Sequence, residues 1–128
     1  MDQKAVPLVR HRDQTSSLEC PFGHVQRVVT GGEGGVANVH VVKITKGTPH
    51  VHTGYDEVYY VLSGTGTITL DQQTNPLRPG TVAVIPAGVP HSLEADPGQE
   101  LEFIIFGTPP MAMDDERATA RHKSKAAS

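Results

Sequence analysis

Thirteen glycines and ten prolines are scattered through 128 residues, and they cut the chain into pieces too short for ordinary helices. The pieces between them are rich in β-branched and aromatic residues and lack a helical period. Val36–Thr45, Glu57–Leu62, Thr67–Leu70, Thr81–Ile85, Ser92–Ala95 and Leu101–Phe106 each read as a strand. Gly64-Thr65-Gly66, Asn75-Pro76, Pro79-Gly80, Ala87-Gly88 and Pro97-Gly98 read as the turns between them. Val25–Val29 adds an earlier strand, ahead of a flexible hinge at Gly31-Gly32-Glu33-Gly34-Gly35. Many short strands at regular spacing predict an all-β fold, a sandwich or a barrel.

The length fits one domain. Its expected parts are an N-terminal segment over residues 1–35 with the early strand, a barrel over 36–112, and a tail over 113–128. The tail, Met113–Ser128, is charged and alanine-rich. It reads either as a short helix begun by Asp114 and Asp115 or as a disordered end. A net charge of −3 gives no basic face for nucleic acid. A single cysteine, Cys20, excludes an internal disulfide framework. No apolar run approaches the roughly 18 residues that would cross a bilayer. The opening MDQKAVPLVRHRDQ has no apolar secretion core, so the expected location is cytoplasmic.

The chemistry concentrates in two places. His50-Val51-His52 puts two imidazoles on one side of an extended strand, because side chains alternate with period two. Glu57 follows a turn containing Gly54, and His91 lies in a second segment punctuated by glycine and proline. Together the four read as ligands for one divalent transition metal per chain, Fe, Mn, Zn, Ni, Co or Cu. Imidazole nitrogens with one carboxylate suit these better than Ca or Mg.

These two segments resemble the cupin family. HVHTGYDEVYYVLSG carries His50, His52, Glu57 and Gly64 at the spacing of the family's first motif. GTVAVIPAGVPHSLEA carries Gly80, Pro86, Gly88 and His91, as Gly-x5-Pro-x-Gly-x2-His, at the spacing of the second. The resemblance runs from about Val36 to Phe106. Ile44 stands where the family usually has glycine, and Ala95 where it often has asparagine, so loop geometry would differ there. The resemblance implies a small single-domain metal-binding protein, a jelly-roll (double-stranded β-helix) barrel with the metal inside, and a homodimer.

Alternation from Glu57 places Tyr59 and Val61 on the ligand face and Val58, Tyr60 and Leu62 on the other. An apolar outer face also calls for a cover, either a second copy or the N-terminal segment. His40 shares a face with Val42 and Ile44, and Tyr59 shares one with Glu57. Both are candidate catalytic residues, for proton movement or substrate hydrogen bonding. The expected pocket walls are Val42, Ile44, Val61, Ile68, Val82, Val84, Leu93, Leu101 and Phe103, with no inward arginine or lysine. Such walls disfavour a sugar phosphate and favour a small molecule that chelates the metal through two oxygens. Three functions fit: a dioxygenase-like oxidoreductase, an isomerase or lyase on a sugar-like substrate, and a non-catalytic binding module.

Overall fold

The computed structural model describes residues 7–20, 23–33, 35–47, 49–111 and 121–122. The strands in chain order are β1 (Leu18–Cys20), β2 (Gly23–Val29), β3 (Asn38–Ile44), β4 (His50–Val51), β5 (Asp56–Ser63) and β6 (Gly66–Leu70). They continue as β7 (Gln73–Leu77), β8 (Val82–Ile85), β9 (His91–Ala95), β10 (Leu101–Thr108) and β11 (Arg121–His122). The helical content of the described residues is two single 3-10 turns, Arg12–Gln14 and Gly31–Glu33.

The strands form two antiparallel sheets. One runs β1-β2-β3-β10-β5-β8 and the other β11-β4-β9-β6-β7. Early strands lie beside late ones, β3 beside β10 and β4 beside β9, which is the interleaving of a jelly-roll. The expected all-β jelly-roll barrel is therefore the observed fold.

Period-two alternation decides what each strand turns inward. In β5, Glu57, Tyr59 and Val61 are buried while Tyr60 and Leu62 are exposed, as read from the sequence. In β10 the buried side chains are Leu101 and Phe103. One apolar core then joins the two sheets, with Val61, Leu101 and Phe103 from the first meeting Ile68 and Leu93 from the second. Full burial of such a side chain contributes roughly 1.5–3 kcal/mol.

The structure corrects three expectations. Val82 and Val84 are 55% and 61% exposed and point outward, whereas Ala83 and Ile85 of the same strand are buried. Pairing decides this phase, since Ala83 lies opposite the inward Tyr59. Asn75-Pro76 is not a turn but part of β7. Because β7 is an edge strand, proline removes no needed ladder bond there. The turn is instead Asp71-Gln72, with Asp71 in the left-handed region at φ 58°. Thirdly, the described part of the glycine-rich hinge is docked. Gly31 N–H donates to the Met111 carbonyl at 3.0 Å, and Glu33 binds Arg10. A Cβ on Gly31 would lie 2.3 Å from the Met111 nitrogen, so only glycine permits this approach.

β1 and β2 belong to the same sheet as β3, so residues 18–20 and 23–29 are part of the barrel wall. Ahead of them, residues 10–15 cross the outer face of that wall. Arg12 donates to Gln26 and Glu102, and Gln26 donates back to the carbonyls of Arg12 and Thr15. The short helix or disordered end expected over Met113–Ser128 lies outside the described residues, apart from the β11 pair.

Candidate metal centre

His50 begins β4 and His91 begins β9, and the two are direct cross-strand partners. Their rings therefore sit side by side, with centroids 4.2 Å apart. His52 follows β4 by one residue and turns the same way, 5.1 Å from His50. One ligand atom from each imidazole can be chosen so that all three lie within 4.8 Å of one another. Glu57 comes from β5 in the opposite sheet, and its Oε1 is 3.4 Å from Nε2 of both His52 and His91. The carboxylate thus reaches two of the three imidazoles across the barrel interior. All four side chains are buried.

Hydrogen bonds fix which nitrogen faces inward on two of the three rings, His91 and His52. His91 Nδ1 lies 2.9 Å from the Val89 carbonyl. A carbonyl only accepts, so Nδ1 carries the proton and Nε2 carries a lone pair. That Nε2 is fully buried and has no hydrogen-bond partner. His52 Nδ1 meets the Tyr55 hydroxyl at 2.8 Å, which leaves its Nε2 toward Glu57. Tyr59 O–H donates to Glu57 Oε1 at 3.2 Å. A buried lone pair aimed at two other imidazoles and a carboxylate is costly unless an electrophile satisfies it. The donor set and its orientation fit a transition-metal ion.

The second sequence motif holds the first in place. In the turn before β9, Gly88 N–H donates to the His52 carbonyl at 2.7 Å, and Ala87 N–H donates to Asp56 Oδ1 at 2.8 Å.

The electrostatics follow from burial and proximity. Burial alone would raise the Glu57 carboxyl, but His91, His52 and His50 around it outweigh that and hold it below its ordinary range. Burial lowers His52, partly offset by Glu57. Burial raises the hydroxyls of Tyr55 and Tyr59, reinforced by the Glu57 charge, so both stay protonated.

His40 lies on the inner face of β3, two strands from Tyr59, through the row His40, Ile105, Tyr59. Its Nε2 is buried and without a hydrogen-bond partner. Burial and the nearby Arg27 push its pKa down to about 4. Arg27 on β2 is the cross-strand partner of His40, so it starts from the inner face of the sheet. Val25, two residues earlier, packs on the core and confirms that orientation. The Arg27 side chain is nonetheless exposed, and the register of β2 against β3 that brings it beside His40 was not readable from composition. Tyr55 was also missed. Its only signal was its position in the loop just ahead of Glu57.

Comparison with known proteins agrees with the fold. The cupin-domain family profile matches residues 37–107. An uncharacterised protein of Methanocaldococcus jannaschii is 32% identical over 66 residues, 52% of this chain and 53% of that protein. The chain spans about half the length of the curated relatives it matches. A solved protein from Planctomyces limnophilus superposes with TM-score 0.72 at 27% identity, over 91% of this chain and 97% of that one. The polyketide cyclase RemF from Streptomyces resistomycificus superposes with TM-score 0.74 at 21% identity, over 93% and 87%. At that identity the likeness to the cyclase speaks for the fold alone. A profile match over more than half the chain, carried on a two-sheet antiparallel barrel, shows that this chain belongs to the cupin family.

Proposed function

We propose that His50, His52, Glu57 and His91 hold one divalent transition metal, and that the protein is a dioxygenase-like oxidoreductase acting on a small chelating molecule. The observation that carries this reading is the buried Nε2 of His91, which faces the Glu57 carboxylate 3.4 Å away while the ring proton is committed to the Val89 carbonyl. Four protein ligands on an octahedral ion leave positions for a bidentate oxygen donor. A bound metal would supply Lewis acidity, or access to dioxygen if it is redox-active. The chain's own residues do the rest. Val61, Leu101 and Phe103 exclude water beneath the site. The Tyr59 hydroxyl holds the Glu57 carboxylate in one orientation.

A second reading, an isomerase or lyase, is favoured by His40. Its imidazole is neutral at pH 7, faces the same interior, and has a free Nε2 to accept a substrate proton.

Elemental analysis of protein purified without added metal comes first, followed by dioxygen uptake with a panel of small phenols and diketones. Uptake is expected with at least one of Fe, Mn, Ni or Cu loaded. Its absence with all four removes the oxidation, and solvent-deuterium incorporation into a sugar or keto acid would then support the second reading. A panel that shows neither leaves a binding module. Glu57→Gln should weaken metal retention in every case, by at least the roughly 10–100-fold that residues merely orienting a ligand contribute.

We also propose a homodimer. The N-terminal strap covers the outer face near β2, β3 and β10, but Tyr60, Val82, Val84 and Phe106 remain exposed at the β5–β8 end. Cross-strand pairing puts them side by side, Val82 beside Tyr60 and Phe106 beside Val58, which is the surface an isologous partner would cover. No helix among the described residues is long and apolar enough to cross a membrane.

A further inference from the structure

Arg27 is exposed, and among the described residues it makes neither a hydrogen bond nor an ion pair. The described arginines of the N-terminal strap on the outer face behave differently. Arg10 is paired with Glu33 and Arg12 with Glu102. Arg27 is thus a free guanidinium that starts from the interior side of the sheet, at the end of a row leading through His40 toward the metal-ligand cluster. Beside it, His40 presents a buried Nε2 with no partner. His40 Nε2 is a buried unmet group and Arg27 an exposed, unpaired cation, on adjacent strands of the sheet that also carries Glu57 and Tyr59.

We propose that the molecule bound at this site carries a carboxylate, taken by Arg27 with His40 donating Nε2–H in that tautomer as a second contact, while its other end reaches the metal. This deepens the metal-centre reading and rests on it. A guanidinium matches a carboxylate with two parallel hydrogen bonds. A phosphate would call for more cationic donors than the single arginine present here. The spacing also limits ligand size. Arg27 and Tyr59 stand three strand spacings apart in one cross-strand row, about 14 Å between backbones, and Glu57 lies two residues further along β5.

The test uses catechol and its carboxylate derivative protocatechuate as probes, with calorimetric Kd values for wild type, Arg27→Gln and Arg27→Lys. Each protein is measured metal-loaded and again after chelator stripping. Wild type is expected to bind protocatechuate about tenfold or more tighter than catechol, the size of a charge-assisted pair. Arg27→Gln should bring that ratio to about one, and Arg27→Lys should keep part of it. A wild type that binds neither probe or both alike, or a preference that survives in Arg27→Gln, overturns the inference. Metal dependence reports separately. If stripping leaves both Kd values unchanged, the metal-centre reading falls, while the ratio still judges Arg27.

Discussion

Tyr55 orients His52 with two contacts. The Tyr55 hydroxyl holds Nδ1 at 2.8 Å and its ring lies against the imidazole, with centroids 4.7 Å apart. Tyr55→Phe keeps the ring and deletes the hydroxyl. Metal affinity measured by competition with a chelator should fall about tenfold, with the fold intact. An unchanged affinity would mean that packing alone orients His52. His40 makes a second prediction, about pH. Its pKa is about 4 in the folded protein against 6.5 ordinarily, so the unfolded chain takes up the proton first as pH falls. The stability it contributes is present above about 6.5 and declines toward 4, by up to about 1.4 kcal/mol per pH unit. Denaturant titrations of metal-free protein should show that decline, and His40→Gln should flatten it. A slope equal to wild type in the variant would reject the assignment. At this scale the four candidate ligands were legible, because their spacing encodes which strands face inward. Tyr55 and Arg27 were not. One sits in a loop with no periodicity, and the other depends on the register between two strands.

Strands and turns obey stricter geometry. Gly64, between β5 and β6, has φ +86°, and a Cβ there would lie 2.1 Å from the Glu100 carbonyl oxygen. Gly80, before β8, has φ +91° with nothing within 4 Å of its would-be Cβ. Both glycines meet the conformational demand, but only Gly64 also meets a wall. Gly80→Ala should cost about 1–2 kcal/mol, the left-handed penalty, and Gly64→Ala clearly more. Thermal or urea unfolding of the pair separates the two contributions, and equal losses would show that the loop relaxes freely. The seven strands read from β-branched runs are all present, because those runs are bounded by glycine and proline. The phase of β8 was not legible. In Thr81-Val82-Ala83-Val84-Ile85 both faces are apolar, so composition cannot choose between them, and pairing with β5 does. β7 was hidden for a related reason, since edge strands tolerate a Pro76 that a central strand would not.

For the whole molecule, the exposed valines on β8 make a testable claim. β8 is an edge of its sheet, and Val84 is 61% exposed with no described cover. Val84→Glu should convert a dimer to monomer in sedimentation velocity, with little change in the monomer's unfolding midpoint. A wild type that sediments as a monomer would remove the dimer proposal. An outward apolar face was legible in β5, but where the N-terminal residues would lie was not. Their anchorage depends on long-range bonds such as Arg12 to Glu102.

The turn at Ala87 and Gly88 is fastened by its amides to the backbone of His52 and the side chain of Asp56. Those amides span two segments that are distant in the chain, so whatever tightens one must tighten the other. If a metal occupies the centre, its presence would therefore be felt as added rigidity in this surface turn.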